Sequence, residues 1–241
     1  MNWLAIILSV ILLIVLYYVF TFYTSDVSTL AKSADLSVGN VPSIPHTNIN
    51  SPGSANFAYG IWLYVVKAPE NGWIYAVSDT DQTKDITTKF SKDTPNANVE
   101  VGLAINPSTA ELYAVYGGQN YVVTNNFPFQ KWVHVIISYD TAGRFIDLYL
   151  DGKMISSIKD KITDGSKSAD VIYKMKTDTF FFGKGNVNVG ALQHWTTSMD
   201  PQTAWSTYLK AAGIKVNPIN QYGVGVDLYK NNDVTYQQRI I

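Results

Sequence analysis

The residues of this 241-residue chain that could move protons are its carboxylates and imidazoles, and their spacing argues against catalysis. Glycosidic hydrolysis needs two carboxyls flanking the bond, roughly 5 Å apart for retention and farther apart for inversion. The glutamates are Glu70, Glu100 and Glu111, far apart in the chain, and Asp147 sits between Ile146 and Leu148 with no second acid two residues away on either side. The imidazoles are His46, His134 and His194. His134 alternates with Trp132 and Ile136 and reads as a strand residue with a satisfied ring. No Ser/His/Asp set and no His–carboxylate metal cluster follows from the spacing. The expectation is a protein that is not an enzyme.

Two arrangements could bind. Asp79, Asp81 and Asp85 lie in a polar stretch where oxygen ligands could converge on a calcium ion, Ca2+. The pattern lacks the glycine and the final bidentate acid of an EF-hand loop, and a solvated acidic loop is the competing reading. No other cofactor is expected. Aromatic rings stack on sugar faces, and Trp73, Tyr116, Tyr121 and Trp195 are candidates, although core or sheet-surface packing is the favoured reading for each such ring in a sandwich. Tyr116 and Tyr121 flank the turn Gly117-Gly118-Gln119-Asn120, so the expected carbohydrate site is Tyr116, Gln119, Asn120 and Tyr121.

A net charge of -1 supplies no basic field, so no nucleic-acid partner is expected. The chain has no cysteine and no N-x-Ser/Thr acceptor, a pairing that leans towards a reducing compartment. Trp3 to Tyr23 carries no charge and no proline, and its length matches the roughly 20 residues that cross a bilayer as a helix. Trp3 at one end and Tyr17, Tyr18 and Tyr23 at the other suit two interfaces. A cleaved signal is the rival reading, but it requires a basic start that Met1-Asn2 does not supply. The expectation is a single-pass membrane protein in a lipid bilayer, with the large domain on the cytosolic, reducing side.

The elements that would position these residues are mostly strands. Trp132, His134, Ile136 and Ser138 alternate with Val133, Val135, Ile137 and Tyr139. A turn at 140–143 and the Asp151-Gly152 hairpin signal then give a three-stranded meander over 129–155. Its faces are too apolar for it to stand alone, so a second sheet must cover it. Upstream, Phe57-Ala58-Tyr59 opens a central strand, and further strands are expected over 73–78, 99–105, 111–116, 120–124, 179–183 and 187–195. The stretch from Ser25 to Asp35 could extend the N-terminal helix, with Val27, Leu30, Ala31 and Ala34 on one side. Gly39, Pro42, Pro45, Pro52 and Gly53 then make a tether. Asp200 and Pro201 are suited to cap and begin a helix that stops at Gly213. A final hairpin is expected from Tyr222–Tyr229 and Val234–Ile240.

The run W-V-H-V-x-x-S-Y-D…I-D-L-Y-L-D-G-K at Trp132 to Lys153, with Gly190 to Tyr208, GALQHWTTSMDPQTAWSTY, resembles the concanavalin A-like lectin/glucanase superfamily, in particular its laminin-G-like members. The resemblance implies an all-β, concanavalin-like jelly-roll β-sandwich, here with one N-terminal transmembrane α-helix and a short C-terminal helix plus hairpin. The expected divisions are 1–24 (anchor), 25–55 (tether), 56–212 (sandwich) and 213–241 (extension). Glucanase members carry a clustered acid motif on one strand that is absent here. A lectin-like sandwich on a single span is also similar to membrane-associated virion proteins of large nucleocytoplasmic DNA viruses. That similarity implies a non-enzymatic structural or binding module, a minor capsid protein tethering an inner membrane to a shell of coat or capsid proteins. The alternative is a lectin-like attachment protein with a glycan partner.

Overall fold

The computed structural model describes residues 3–23, 27–36, 43–49, 54–79, 89–94, 96, 99–159, 177–181, 187–212, 225–230 and 233–239. Helix α1 (Trp3–Tyr23) precedes strand β1 (Val27–Asp35). The sandwich strands follow as β2 (Phe57–Val65), β3 (Trp73–Asp79), β4 (Val101–Ile105), β5 (Leu112–Tyr116), β6 (Gln119–Thr124), β7 (Trp132–Asp140), β8 (Phe145–Leu150), β9 (Lys153–Lys159), β10 (Thr177–Phe181) and β11 (Val187–Trp195). Helix α2 (Pro201–Ala211) and the strands β12 (Gly225–Lys230) and β13 (Asp233–Arg239) complete the chain. One sheet has the order β1-β11-β2-β7-β8-β9, the other β10-β3-β4-β5-β6, and β12 pairs with β13.

The period of two builds the core. Phe57, Tyr59, Ile61, Leu63 and Val65 of β2 point inward with Val133, Val135, Ile137 and Tyr139 of β7. They meet Tyr75, Val77, Val101, Leu103, Ile105, Leu112, Ala114, Tyr116, Tyr121 and Val123 of the facing sheet. The meander forms as expected, and its Asp151-Gly152 turn has φ of 49° and 76°, the mirror-image geometry that suits the twist of a hairpin. On the outside of the five-stranded sheet, Phe90 packs against Trp73 and Tyr113, both at 5.3 Å, so Phe90 and Val99 cover that face.

Three expectations about the N-terminal region change. The segment after α1 is not a helical extension: β1 pairs antiparallel with β11, Val27 opposite Trp195 and Asp35 opposite Asn188. Its short apolar pattern fits either period, and the open ladder of β11 decides for strand. Within the expected tether, Ile44 is buried and exchanges two backbone hydrogen bonds with Thr179, at 2.8 and 2.9 Å. The single-pass localisation is also corrected, because among the described residues no helix is long and apolar enough to cross a membrane. Of the expected interface residues, Trp3, Tyr17 and Tyr18 are exposed, and the side chain of Tyr23 lies outside the described residues.

Candidate functional site

The expected carbohydrate site does not present its rings. Tyr116 and Tyr121 are both buried in the core, Tyr116 lying 4.5 Å from Tyr139 and 5.9 Å from Phe57 between ring centroids. The physical reason is strand parity: both side chains fall on the inner face of the five-stranded sheet, where the second sheet covers them. Gln119 is half-buried opposite Tyr116. Asn120 is a clamp: its amide donates to the carbonyls of Ser91, Lys92 and Thr94 at 3.0, 3.1 and 3.3 Å, and its Oδ1 accepts from Asn96 at 2.8 Å. Trp73 and Trp195 are buried as well. Gly60 makes room for Trp195, whose Cζ3 would be 2.8 Å from an added Cβ. The backbone of Asp79 ends β3, while its side chain and all of Asp81 and Asp85 lie outside the described residues. Among the described residues no group of three or more His, Cys, Asp or Glu could hold a metal ion.

A different aromatic surface exists on the outside of the six-stranded sheet. Register builds it: Trp62 stands opposite His134 and Tyr64 opposite Trp132 across β2 and β7, while β11 sets Gly190 opposite Trp62 and Asn188 opposite Tyr64. Gly190 leaves space for the large rings, since a Cβ there would lie 3.5 Å from Trp62 Cβ and 3.6 Å from Trp132 Cζ3. Trp205 and Tyr208, three apart on α2, share a helix face. Together they form a ladder: His134 to Trp62 at 5.0 Å and 27°, Trp62 to Tyr208 at 5.5 Å and 18°, Tyr208 to Trp205 at 5.6 Å and 28°. Beside it Tyr64 leans on Trp132 at 5.5 Å and 49°. Trp132 is 46 % exposed and Trp205 40 %. The cross-strand pairs and the W-x-x-Y spacing were the available sequence signals for this surface.

Local structure fixes the helix onto the face. Asp200 caps α2 by accepting from the backbone N–H groups of Gln202 and Thr203 at 2.9 and 3.0 Å, and the Thr203 hydroxyl, which donates to its Oδ2, together with these N–H groups holds its carboxyl below the usual range. Met199 is buried, its N–H donating to Ser138 Oγ at 2.8 Å while its carbonyl accepts from Tyr149 Oη at 2.6 Å. Ala204 is buried against Ala58, Ile136, Tyr149 and Trp195. Under the helix, Gly152 has φ of +76°, and a Cβ there would sit 2.8 Å from Tyr208 Cβ and 2.9 Å from Trp205 Cε3. Asp151 ties this turn to β7. Its N–H donates to the His134 carbonyl at 2.8 Å, its Oδ1 accepts the His134 N–H at 2.9 Å, and its Oδ2 lies 3.7 Å from Lys131 Nζ.

Burial lowers the His134 ring to about 4, so it is neutral at ordinary pH, and it does the same to His194 in the core, whose ring lies 4.8 Å from Tyr59. The face therefore offers flat apolar rings, two of them open, with neutral polar atoms among them. Such a surface suits stacking. Residues 38–215 match a laminin G-type sequence family described as the Concanavalin A-like lectin/glucanases superfamily. The chain belongs to that superfamily. No curated protein sequence matches it. Solved structures similar to this concanavalin A-like chain include a mutant of Trypanosoma rangeli sialidase displaying trans-sialidase activity, with a TM-score of 0.50 and 10% identity over 79% of this chain and 33% of that one. Two others are the binding domain of Botulinum neurotoxin DC in complex with rat synaptotagmin II (TM-score 0.43, 15% identity, 70% of this chain and 39% of that one) and the native heptameric SAP-like pentraxin from Limulus polyphemus (0.42, 11%, 64% and 70%). The chain spans about a quarter of the length of the sialidases it resembles, 24% in the complex with sialic acid. At these identities the likeness concerns the fold.

Proposed function

We propose that this concanavalin A-like chain is a non-enzymatic binding module that receives a glycan on the outer face of its six-stranded sheet. The observation that carries the reading is the exposure of Trp132 and Trp205 at the margin of one aromatic surface. Exposed indole faces are costly to hydrate, and a pyranose ring offers a flat array of C–H groups to cover them while its hydroxyls stay wet. Aromatic stacking contributes about 0.5–1.5 kcal/mol per contact beyond area burial, enough with two rings to select a ligand though not to hold it tightly. Asn188 and Asp35, paired in register beside Tyr64, stand where hydroxyls could be met. The test is a glycan array probed with the full chain, with Trp132→Ala and Trp205→Ala alongside. Saturable retention of a glycan class by the wild type, lost in both variants, is the expected outcome. A wild type that retains nothing, or variants that bind undiminished, would refute the reading.

A second reading is structural: a shell-associated module, as in a minor capsid protein, whose partner is another coat protein. It is favoured by β12 and β13, which pair with each other in a separate two-stranded sheet. Two strands alone are marginally stable in water, so a partner's sheet edge would complete them. Co-purification of the full chain with stoichiometric coat proteins supports this reading. Recovery of the chain alone removes it.

A further inference from the structure

We propose that α2 is a lid over a polar seat in the aromatic face, and that a hydroxyl of the ligand occupies this seat when the lid lifts. The inference rests on the glycan-binding reading for the identity of the ligand, but the lid stands on geometry of its own. The seat is made of Trp62 Nε1 and His134 Nδ1. Both atoms are buried, and neither has a hydrogen-bond partner among the described residues. They belong to adjacent rungs of the ladder, with ring centroids 5.0 Å apart, and His134 is 1 % exposed.

Buried donors and acceptors without partners are rare and carry a free-energy penalty while they stay sealed. Tyr208 does the sealing, with its ring 5.5 Å from Trp62 and 6.2 Å from His134, while Trp205 stacks on its outer side and keeps an exposed face for the ligand. The helix that brings these rings is held unevenly. Its start is pinned by both hydrogen bonds of Met199, by the Asp200 cap and by buried Ala204. From Trp205 onward its residues are exposed or half-buried, and the second half rests on Gly152 through the two rings. Among the described residues the far end is held by ring stacking and by its packing along β9, so the helix can pivot about its N-terminus, and lifting the far end relieves the penalty at the seat.

The seat's chemistry names the group it takes. An indole N–H can only donate, whereas a neutral imidazole nitrogen donates or accepts according to its tautomer. A hydroxyl satisfies both together, accepting from Trp62 and donating to His134. A carboxylate, which only accepts, meets both atoms in one tautomer alone, with the proton on Nδ1, whereas a hydroxyl meets both in either tautomer, so a neutral polyhydroxylated ring fits this seat better than an acidic group.

The experiment follows the Trp62 indole N–H by hydrogen exchange in the NMR spectrum of the full chain, assigned with Trp62→Phe. The lid requires this proton to exchange by local opening, faster than the Ile61 and Leu63 amides of the same strand. It should speed up about tenfold or more in Tyr208→Ala and in the cap variant Asp200→Ala. Exchange at the rate of the strand amides in all three proteins overturns the lid. The binding arm uses a glycan that the wild type retains on the array. Tyr208→Ala removes the cost of opening, so it should bind up to about tenfold tighter, while Trp132→Ala weakens binding. If Tyr208→Ala weakens binding as Trp132→Ala does, Tyr208 is one more platform ring and the lid is wrong, although the glycan reading survives. If the wild type retains no glycan, the glycan reading fails and the exchange rates alone decide the lid.

Discussion

Acidification should destabilise this protein well above the pH at which its carboxylates protonate, and two histidines set the size of the effect. His134 in the aromatic ladder and His194 between the sheets are both lowered to about 4 from an ordinary value of 6.5 by burial. A ring that is neutral in the fold but free to protonate when unfolded leaves stability intact above pH 6.5. That stability then drains as the pH falls, until the folded ring itself protonates near 4. Between those two values the unfolded chain binds the additional proton, so stability must rise with pH, which gives the sign. At pH 5 linkage amounts to about 2 kcal/mol for each ring, hence about 4 kcal/mol for both. That is a large share of the roughly 5–15 kcal/mol that holds a domain together. The lowered carboxyls of Asp200 and Glu111 act in the same direction but nearer their own ordinary values of 3.8 and 4.5. Urea titrations followed by tryptophan fluorescence at pH 7 and pH 5 measure the difference. His134→Phe and His194→Phe should each remove about half of it. His194→Phe should also raise stability at pH 7, because neither nitrogen of His194 has a partner among the described residues. Equal stability at the two pH values in the wild type, or an undiminished loss in the double variant, would refute the reasoning.

Other outcomes follow from single contacts. Gly152→Ala places a methyl group against Tyr208 and Trp205 at a positive φ. It should cost about 1–2 kcal/mol from the backbone alone, and it should shift the near-ultraviolet circular dichroism of the ring ladder as α2 is pushed outward. An unchanged spectrum would mean that the helix does not rest on that turn. Asn120→Ala removes three donated hydrogen bonds that hold 91–94. Trypsin should then cut after Lys92 in the folded protein at least several times faster, with little change at other lysines. Replacing Trp132, already 46 % exposed, by Ala should move the unfolding midpoint by less than about 1 kcal/mol while abolishing glycan retention, a separation that calorimetry beside the array can establish.

The parts of this architecture legible in the sequence are those whose determinants are local. The meander of β7, β8 and β9 follows from alternation and from the residues that accept positive φ at Asp151 and Gly152. Helix α2 begins where Asp200 and Pro201 say it should. Strand β1 was hidden because its cause is remote: polar and short, it becomes a strand only where β11 offers its ladder. The site was hidden for a related reason. Tyr116 and Tyr121 flank an exposed type of turn, but whether a strand's ring faces solvent depends on the side from which the second sheet arrives. Trp62 acquires its role from the registers of β7 and β11 and from a helix more than a hundred residues later, none of which a local pattern contains.

Strand β1 also bears on where this protein can be cut. The family match begins at residue 38, after β1 has ended at Asp35. A fragment trimmed to that boundary would keep β11 but strip it of its outer neighbour, leaving a row of main-chain N–H and C=O groups facing water along a nine-residue strand. Such an edge pairs readily with whatever extended chain it meets, including another copy of itself. The recognisable family unit and the self-contained unit therefore have different starting points, and the second begins no later than Val27.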